Sequence, residues 1–397
     1  MLHRTERTLE NIPVGSLGMI PIDGCQELGG KVNDYLVKWR KEAVAKTKDD
    51  VVFHDYQKET YIIDAKVPRF GSGEAKGIIN ESVRGKDIYL MVDVCNYSLT
   101  YSLSGHTNHM SPDDHFQNLK RVIAAIGGKA RRINVIMPFL YESRQHKRSS
   151  RESLDCALAL QELVRMGVDN IITFDAHDPR VQNAIPLSGF ETVRPTYQFI
   201  KGLLQNVPDL KIDSEHMMAI SPDEGATGRA IYLANVLGLD MGMFYKRRDY
   251  TRIVDGRNPI VAHEFLGSSV EGKDVIIIDD MISSGDSILD VAKQLKARKA
   301  NRIFAAATFG LFTNGMKKFD EAYEQGIIHG ILTTNLIYQT PELLSKPYYI
   351  NCDLSKYIAL IIDTLNHDGS ISSILSPNER IQNVVQKIPQ WRKDLIE

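Results

Sequence analysis

From residue 88 onward the chain alternates between short apolar runs and stretches whose apolar residues recur at helical spacing. Ile88–Val94, Ile133–Pro138, Ile171–Asp175, Met217–Ile220, Met241–Tyr245, Val275–Ile278, Ile303–Thr308, Ile327–Thr333 and Tyr348–Ile350 read as strands. Phe116–Ile126, Leu154–Met166, Tyr197–Leu204, Ala230–Val236, Ile288–Leu295, Lys317–Tyr323 and Tyr357–Leu365 read as helices between or after them. Upstream, Leu17–Ile22, a helix over Gln26–Ala43 and a strand over Tyr61–Val67 begin the same pattern. Strands that are apolar along their whole length are covered on both faces. Their alternation with helices predicts an α/β protein of mainly parallel sheets with helices on both faces.

The pattern also repeats. Val83-Arg84-Gly85-Lys86-Asp87 precedes one strand as Val270-Glu271-Gly272-Lys273-Asp274 precedes another. Further on, Lys129-Ala130-Arg131-Arg132-Ile133 matches Lys299-Ala300-Asn301-Arg302-Ile303. Two matches in the same order read as a duplicated α/β domain. Between its two motifs the first copy is about 17 residues longer. The surplus falls in Asn96–Asp114, read as an irregular loop. His106 and His109 in it have metal-ligand spacing but no evident third ligand, so the reading is a solvated loop.

With 397 residues, 43% of them hydrophobic, the chain can build two or three domains. A formal charge of −2 gives no sign of a nucleic-acid partner. Cys25, Cys95, Cys156 and Cys352 are scattered, which fits a reducing compartment. No apolar run is long enough to span a bilayer, and the first residues lack a signal-peptide apolar core. The expectation is a cytoplasmic protein with no membrane partner.

The polar clusters lie at strand ends or in loops, where open α/β sheets bind ligands. Lys273–Asp290 reads as strand, acid pair, small-residue loop and helix start. Asp279 and Asp280 end the strand, and Ser283, Ser284, Gly285, Asp286 and Ser287 lead into the helix. Such a loop can cradle a phosphate on backbone N–H groups, with the acids accepting sugar hydroxyls. An ordinary turn with a Ser N-cap is the competing reading. Arg144-Gln145-His146-Lys147-Arg148 follows another strand and reads as a triphosphate clamp or a solvated basic face. His177, between Asp175 and Asp178, is a candidate for a Mg²⁺-phosphate site, and Asp223 in Ser-Pro-Asp is a metal ligand or a helix cap. Lys246-Arg247-Arg248 opens a polar stretch that could close over a polyphosphate. There is no Walker lysine motif, and RFGSGE, Arg69–Glu74, is not a P-loop.

In these motifs the sequence resembles the ribose-phosphate diphosphokinases, the phosphoribosyl pyrophosphate synthetases. INESVRGKD at Ile79–Asp87, Arg-Gln after a Pro-Phe strand end, Asp-x-His, Ser-Pro-Asp, Lys-Arg-Arg and the acid-pair loop occur in that family's order, over about Gly18–Ser376. The resemblance implies two tandem phosphoribosyltransferase-like domains, here 1–190 and 191–366, with a tail, 367–397, packing back on the first. It implies Mg-dependent transfer of the diphosphoryl group of ATP to the anomeric hydroxyl of ribose 5-phosphate, for nucleotide biosynthesis. ATP would lie at the domain junction. Phe70, Ser72 and Glu74 match residues that reach the adenine from a neighbouring subunit. Arg144 and Gln145 match ATP contacts, and His177 and Asp223 match metal-site residues. Lys246 and Arg248 match catalytic cations of a mobile loop. Asp279 and Asp280 match ribose-binding acids, and Ser283–Ser287 match the 5-phosphate loop. A homo-oligomer, hexamer or smaller, with shared ATP sites follows from the same resemblance. Here Ser72 stands where the family has an acid or amide, Ser283 replaces an Asp, and Asp249 replaces a Pro. Asp286 replaces a small residue, and repulsion from a phosphate would turn it to solvent. A non-catalytic regulatory relative is one alternative, although Lys246, Arg248 and His177 are all present. A phosphoribosyltransferase is another, but it leaves the Arg-Gln and Asp-x-His clusters unexplained.

Overall fold

The computed structural model describes residues 12–46, 55–248 and 260–386, with backbone alone at 46, 246–248 and 260–263. It has two compact units. One holds the chain up to Arg194, with Asn335–Tyr338 and Asp353–Ser376. The other holds Pro195–Thr334, Gln339–Cys352 and the chain from Pro377.

The first unit runs β1 (Ser16–Pro21), α1 (Gln26–Lys46), β2 (Ala65–Lys66), β3 (Ile78–Ile79), β4 (Lys86–Met91), β5 (Thr100–Leu103), β6 (His106–His109), α2 (Pro112–Ile126), β7 (Arg132–Ile136), α3 (Asp155–Arg165), β8 (Asn170–Phe174) and β9 (Gly189–Val193). Its main sheet has the order β1-β4-β7-β8-β9, and every pair is parallel. Ile88 and Leu90 of β4 share a core with Leu119 and Val122 of α2 and Leu160 and Leu163 of α3. Tyr89, which strand alternation turns to the other face, is fully buried as well. That burial on both sides is why β4 carries no polar alternation.

The second unit contributes α4 (Thr196–Asn206), β10 (Met217–Ser221), α5 (Thr227–Leu237), β11 (Asp240–Arg248), β12 (Ile260–Leu266), β13 (Asp274–Ile282), α6 (Asp286–Ala297), β14 (Ile303–Gly310), α7 (Lys317–Glu324), β15 (Gly330–Thr334), α8 (Pro341–Leu344) and β16 (Tyr349–Cys352). Its sheet has the order β12-β11-β10-β13-β14-β15-β16, parallel except for the antiparallel β11–β12 pair. In β13, Val275 and Ile277 join a core with Leu289 and Leu295 of α6 and Phe319 of α7. Ile276 and Ile278 join a second core with Leu203 of α4 and Leu233 of α5. The four-residue apolar run is thus shared between two cores, with helices on both faces of the sheet. Among the described residues no helix is long and apolar enough to cross a membrane.

The duplicated motifs occupy equivalent places. Asp87 at the start of β4 pairs in register with Arg132 at the start of β7. Arg132 Nε and Nη2 donate to its two carboxylate oxygens at 2.8 and 2.9 Å. Asp274 and Arg302 form the same two-pronged pair at the start of β13 and just before β14, at 3.1 and 2.6 Å. The Gly-Lys-Asp and Lys-Ala-x-Arg-Ile signatures therefore mark one structural device used twice: a buried carboxylate clamped by an Arg from the neighbouring strand.

Three expectations are corrected. Asn96–Asp114 is not an irregular loop. It contains an antiparallel hairpin, with Thr100 opposite His109 and Leu103 opposite His106. Ser104 and Gly105 form its two-residue turn with φ of 50° and 83°, which suits a Ser-Gly pair. Ser111 then caps α2 in a reciprocal bond with Asp114, so Pro112–Asp114 are already helix. Second, Ser355–Asn366, α9, belongs with the first unit rather than the second. It packs on α1, and Asn366 donates to Asp87 at 2.9 Å and accepts from Arg40 at 2.7 Å. Third, the tail does not pack back on the first unit throughout. Beyond α10 (Ser372–Leu375), α11 (Asn378–Gln386) belongs to the second unit, where it packs on α4 and α5 and buries Ile381 and Val384. An amphipathic helix settles wherever a complementary apolar surface lies, which linear order does not specify.

Asp93, just past β4, is the counterpart of Asp280 in the repeat, yet it is turned to a structural task. It accepts N–H bonds from Cys95 at 2.9 Å and Tyr338 at 2.6 Å. Burial pushes its carboxyl up to about 7, against the lowering effect of those two bonds. Folded protein therefore holds a proton here that the unfolded chain has already released above about pH 4. The stability this supplies is present at low pH and lost as pH rises through about 7. The unfolding free energy is expected to fall between pH 5 and 8 by up to about 1.4 kcal/mol per pH unit from this group. Asp93→Asn should flatten that slope in urea melts; identical slopes in the two proteins would refute the assignment.

Candidate active site

In the first unit, the loops after the neighbouring strands β7 and β8 come together. β8 ends at Phe174, and Asp175 turns the chain with φ 41°, a strained left-handed residue at the carboxyl end of a parallel strand. His177 follows. Its ring lies 5.3 Å, centroid to centroid, from that of His146, which comes from the basic stretch after β7. His146 Nε2 is 3.5 Å from Asp178 Oδ2, and its Nδ1 is buried with no hydrogen-bond partner. Asp178 is also gripped by Arg180, whose side-chain hydrogen bonds hold the carboxyl low, at about 2. Gln145 donates to Ser153 O at 2.8 Å, which ties down the base of the loop. Arg144 is exposed beside it. The structure thus joins the Arg-Gln and Asp-x-His clusters at one corner, and it adds His146 and Asp178 to that corner. Both lay within motifs singled out from the sequence, but their pairing is a product of sheet order.

Phe70, Ser72 and Glu74 lie in a tight turn, with Phe70 N–H donating to Glu74 O at 2.7 Å and Gly73 N–H to Phe70 O at 2.9 Å. All three side chains are exposed, and Ser72 Oγ donates to Glu74 Oε2 at 3.0 Å.

In the second unit, β10 and β13 are neighbours, so Asp223 and the acid pair sit at the same sheet edge. Asp223 Oδ1 accepts the N–H of Gly225 at 2.9 Å and of Ala226 at 3.3 Å, so it does cap the approach to α5. Asp279 is raised well above the usual carboxylate range by its burial first, then by the negative charge of Asp280, with Asp223 adding to it. Asp280 is 3% exposed, with Arg229 Nη2 3.8 Å from its carboxylate. Sequence reasoning missed Arg229. Its one signal was its place in the first turn of the helix that follows Ser-Pro-Asp. Acids crowded in this way make a site that gains from a bound cation or from hydroxyl donors.

Ser283–Ser287 wrap the N-terminus of α6. Gly285 has φ +86°, and a Cβ there would come within 2.2 Å of Phe319 Cζ, in the core beneath. Gly285→Ala is therefore expected to displace the loop, with a stability loss of about 2 kcal/mol or more in denaturant melts; an unchanged melt would mean the loop tolerates a side chain. Asp286 is 57% exposed and pairs with Lys318 at 2.6 Å while accepting from Ser284 Oγ at 2.9 Å. It faces out, the orientation expected for it from the sequence. The first copy has no such loop. There Asn96 holds Gly24 O, Ser98 N–H and Ser98 Oγ, which fill the equivalent turn.

The backbone of Lys246 and Arg248 extends β11, with Lys246 opposite His263. Their side chains, and Asp249 with the residues to 259, lie outside the described residues. Among the described residues no group of three His, Cys, Asp or Glu side chains forms a ready metal cage.

Two α/β units, each with a mainly parallel sheet and polar groups gathered at the carboxyl ends of its strands, have the layout of a protein of phosphoribosyltransferase-like fold. A crystal structure of phosphoribosylpyrophosphate synthetase from Mycobacterium smegmatis has this fold, with a TM-score of 0.69 at 20% identity over 89% of this chain and 100% of that one. Residues 18–167 match the family model of the N-terminal domain of ribose phosphate pyrophosphokinase, and 257–376 that of the phosphoribosyl synthetase-associated domain. The ribose-phosphate pyrophosphokinase of Shewanella oneidensis is 30% identical over 317 residues, 79% of this chain and 91% of that protein. That of Vibrio parahaemolyticus is 29% identical over 318 residues, with the same coverage. The chain belongs to the ribose-phosphate pyrophosphokinase family.

Proposed function

We propose that this protein transfers the diphosphoryl group of ATP to ribose 5-phosphate, giving phosphoribosyl pyrophosphate and AMP. The observation that carries this is the edge of the second sheet. An acid pair, Asp280 buried and Asp279 half-buried, sits beside a Ser-Gly loop that opens a helix, which suits the hydroxyls and the phosphate of one sugar phosphate. The first copy has lost that loop, so one sugar site per chain follows. Asp279 and Asp280 accept the ribose hydroxyls, and Ser283, Ser284, Gly285 and Ser287 receive the 5-phosphate. Asp286 stands outside, paired with Lys318.

The nucleotide belongs to the first unit. Arg144 and Gln145 receive the phosphates, next to His177. Phe70 offers a ring face to the base. The Glu74 carboxylate accepts from an exocyclic amine, which adenine has where guanine has an oxygen. The supply of this loop to a neighbouring subunit, and hence a homo-oligomer, rests on family resemblance.

In the reaction the anomeric oxygen attacks the β-phosphorus. The bond from that phosphorus to the oxygen bridging to the α-phosphorus breaks, AMP leaves with that oxygen, and the hydroxyl proton passes to solvent. No protein nucleophile is required. Lys246 and Arg248 hold the charge that develops on the transferring group. The residues present fit Mg²⁺. In the second unit Asp223 offers a hard carboxylate oxygen to such an ion, and in the first unit His177 suits a water of an ion's shell. When bound it would neutralise phosphate charge.

The test is direct. Purified protein with Mg²⁺, ATP and ribose 5-phosphate should release AMP in equal amount to phosphoribosyl pyrophosphate. Asp280→Asn should raise KM for ribose 5-phosphate and leave KM for ATP in place. No AMP from this mixture, with diphosphate released once phosphoribosyl pyrophosphate and a base are supplied, would instead identify a transferase that consumes phosphoribosyl pyrophosphate.

A further inference from the structure

The inserted hairpin β5–β6 lies against the turn Arg69–Glu74, and the contacts follow a period of two. Every odd-numbered residue of the turn meets the hairpin. The Arg69 guanidinium stacks 4.1 Å from the centroid of the Tyr101 ring. Gly71 O accepts the Ser104 N–H at 3.4 Å. Gly73, with φ +90°, lies so close under Leu103 that a Cβ would come within 2.8 Å of Leu103 Cδ1. The even-numbered residues Phe70, Ser72 and Glu74 are exposed and carry the side chains assigned to the base. The turn therefore sets its odd-numbered residues against the hairpin and leaves the even-numbered side chains exposed on its other side.

Arg69 is the pivot. Nη1 donates to Gly73 O at 3.0 Å, across the turn, and lies 3.3 Å from Asp114 Oδ1 in the first turn of α2. Nη2 is buried with no hydrogen-bond partner. The Tyr101 ring, 4.1 Å from the guanidinium carbon, adds a cation–π contact to these bonds. A segment holding two glycines would otherwise sample many conformations and lose entropy when a nucleotide ordered it.

We propose that hairpin β5–β6 is a positioning element for nucleotide recognition, and that Tyr101 and Leu103 set the affinity and base selectivity of the loop bearing Phe70, Ser72 and Glu74. Tyr101 touches no substrate; it acts through Arg69. The inference rests on the assignment of those three residues to the base.

The experiment measures steady-state kinetics of the full-length protein with ATP and GTP. Tyr101→Ala is expected to raise KM for ATP about tenfold and to narrow the preference for ATP over GTP. KM for ribose 5-phosphate and the thermal midpoint should stay in place. Tyr101→Phe, which keeps the ring face, should behave within about twofold of the parent. Phe70→Ala is the control for the underlying assignment. If it raises KM for ATP while Tyr101→Ala does not, the hairpin is not a positioning element. If Phe70→Ala leaves KM for ATP unchanged, the assignment of the base site fails and the inference falls with it. A Tyr101→Ala protein in which both KM values and the melt shift together would reduce the hairpin to a part of the fold and overturn the proposal.

Discussion

Asp87→Ala is expected to destabilise the first unit by about 3–5 kcal/mol, the scale for removing one partner of a buried ion pair. Asp87 is fully buried and is the shared acceptor of four side chains. Besides the two bonds from Arg132, it receives Asn134 Nδ2 at 2.8 Å, Asn366 Nδ2 at 2.9 Å and Tyr89 OH at 3.1 Å. Deleting the carboxylate leaves a guanidinium, two amides and a phenol short of an acceptor at once. Arg132 keeps Leu365 O at 2.7 Å, which limits the loss. Asp274→Ala should cost less. Its partner Arg302 is more exposed, 23% against 16%, and retains Asp209 at 2.8 Å. Denaturant melts of both variants give the ordering. A loss below about 1 kcal/mol for Asp87→Ala would mean that water or a shifted neighbour replaces the carboxylate.

Lys246→Ala and Arg248→Ala are each expected to lower kcat for AMP release by about 10²–10³, the usual loss when one donor to transition-state charge is removed. Their effect should fall on kcat more than on either KM, since the interaction grows as charge moves onto the transferring group. Lys299→Ala is the control. That lysine is 74% exposed and pairs with Glu271 on the surface, so its loss should leave the rate within about twofold. Equal rates in Lys246→Ala and Lys299→Ala would remove Lys246 from the mechanism.

The sheet strands that were read from sequence are those with largely apolar runs, such as Val275–Ile278 and Ile303–Ala307. Burial on both faces leaves an unmistakable apolar run. Gly189–Val193 was not read as a strand, and only Val193 in it is fully enclosed. It lies at the sheet edge, where one neighbour and partial burial leave a weak signal. The hairpin was passed over for a related reason. Thr100–Leu103 and His106–His109 are mostly polar, and the Ser-Gly turn was the one local mark of pairing. In the site, Asp279, Asp280, Gly285 and Asp223 were legible because strand end, small-residue loop and helix start follow each other in sequence. Arg229 and the approach of His146 to His177 were not, because each joins segments that only sheet order makes neighbours.

The sequence by itself determined the class of fold, its duplication and the identity of the chemical groups. All three follow from local periodicity and from short motifs in order, which a linear reading can capture. The tertiary structure alone decided that α9 belongs with the first unit and α11 with the second. It decided that Asp93, the counterpart of an acid assigned to ribose, holds backbone N–H groups of Cys95 and Tyr338 instead. It also decided that an insertion of polar residues braces the loop assigned to the base. Those outcomes depend on which surfaces meet across hundreds of residues. The free energy of such contacts is set by burial and by the geometry of particular pairs, not by anything carried in the spacing of residues along the chain.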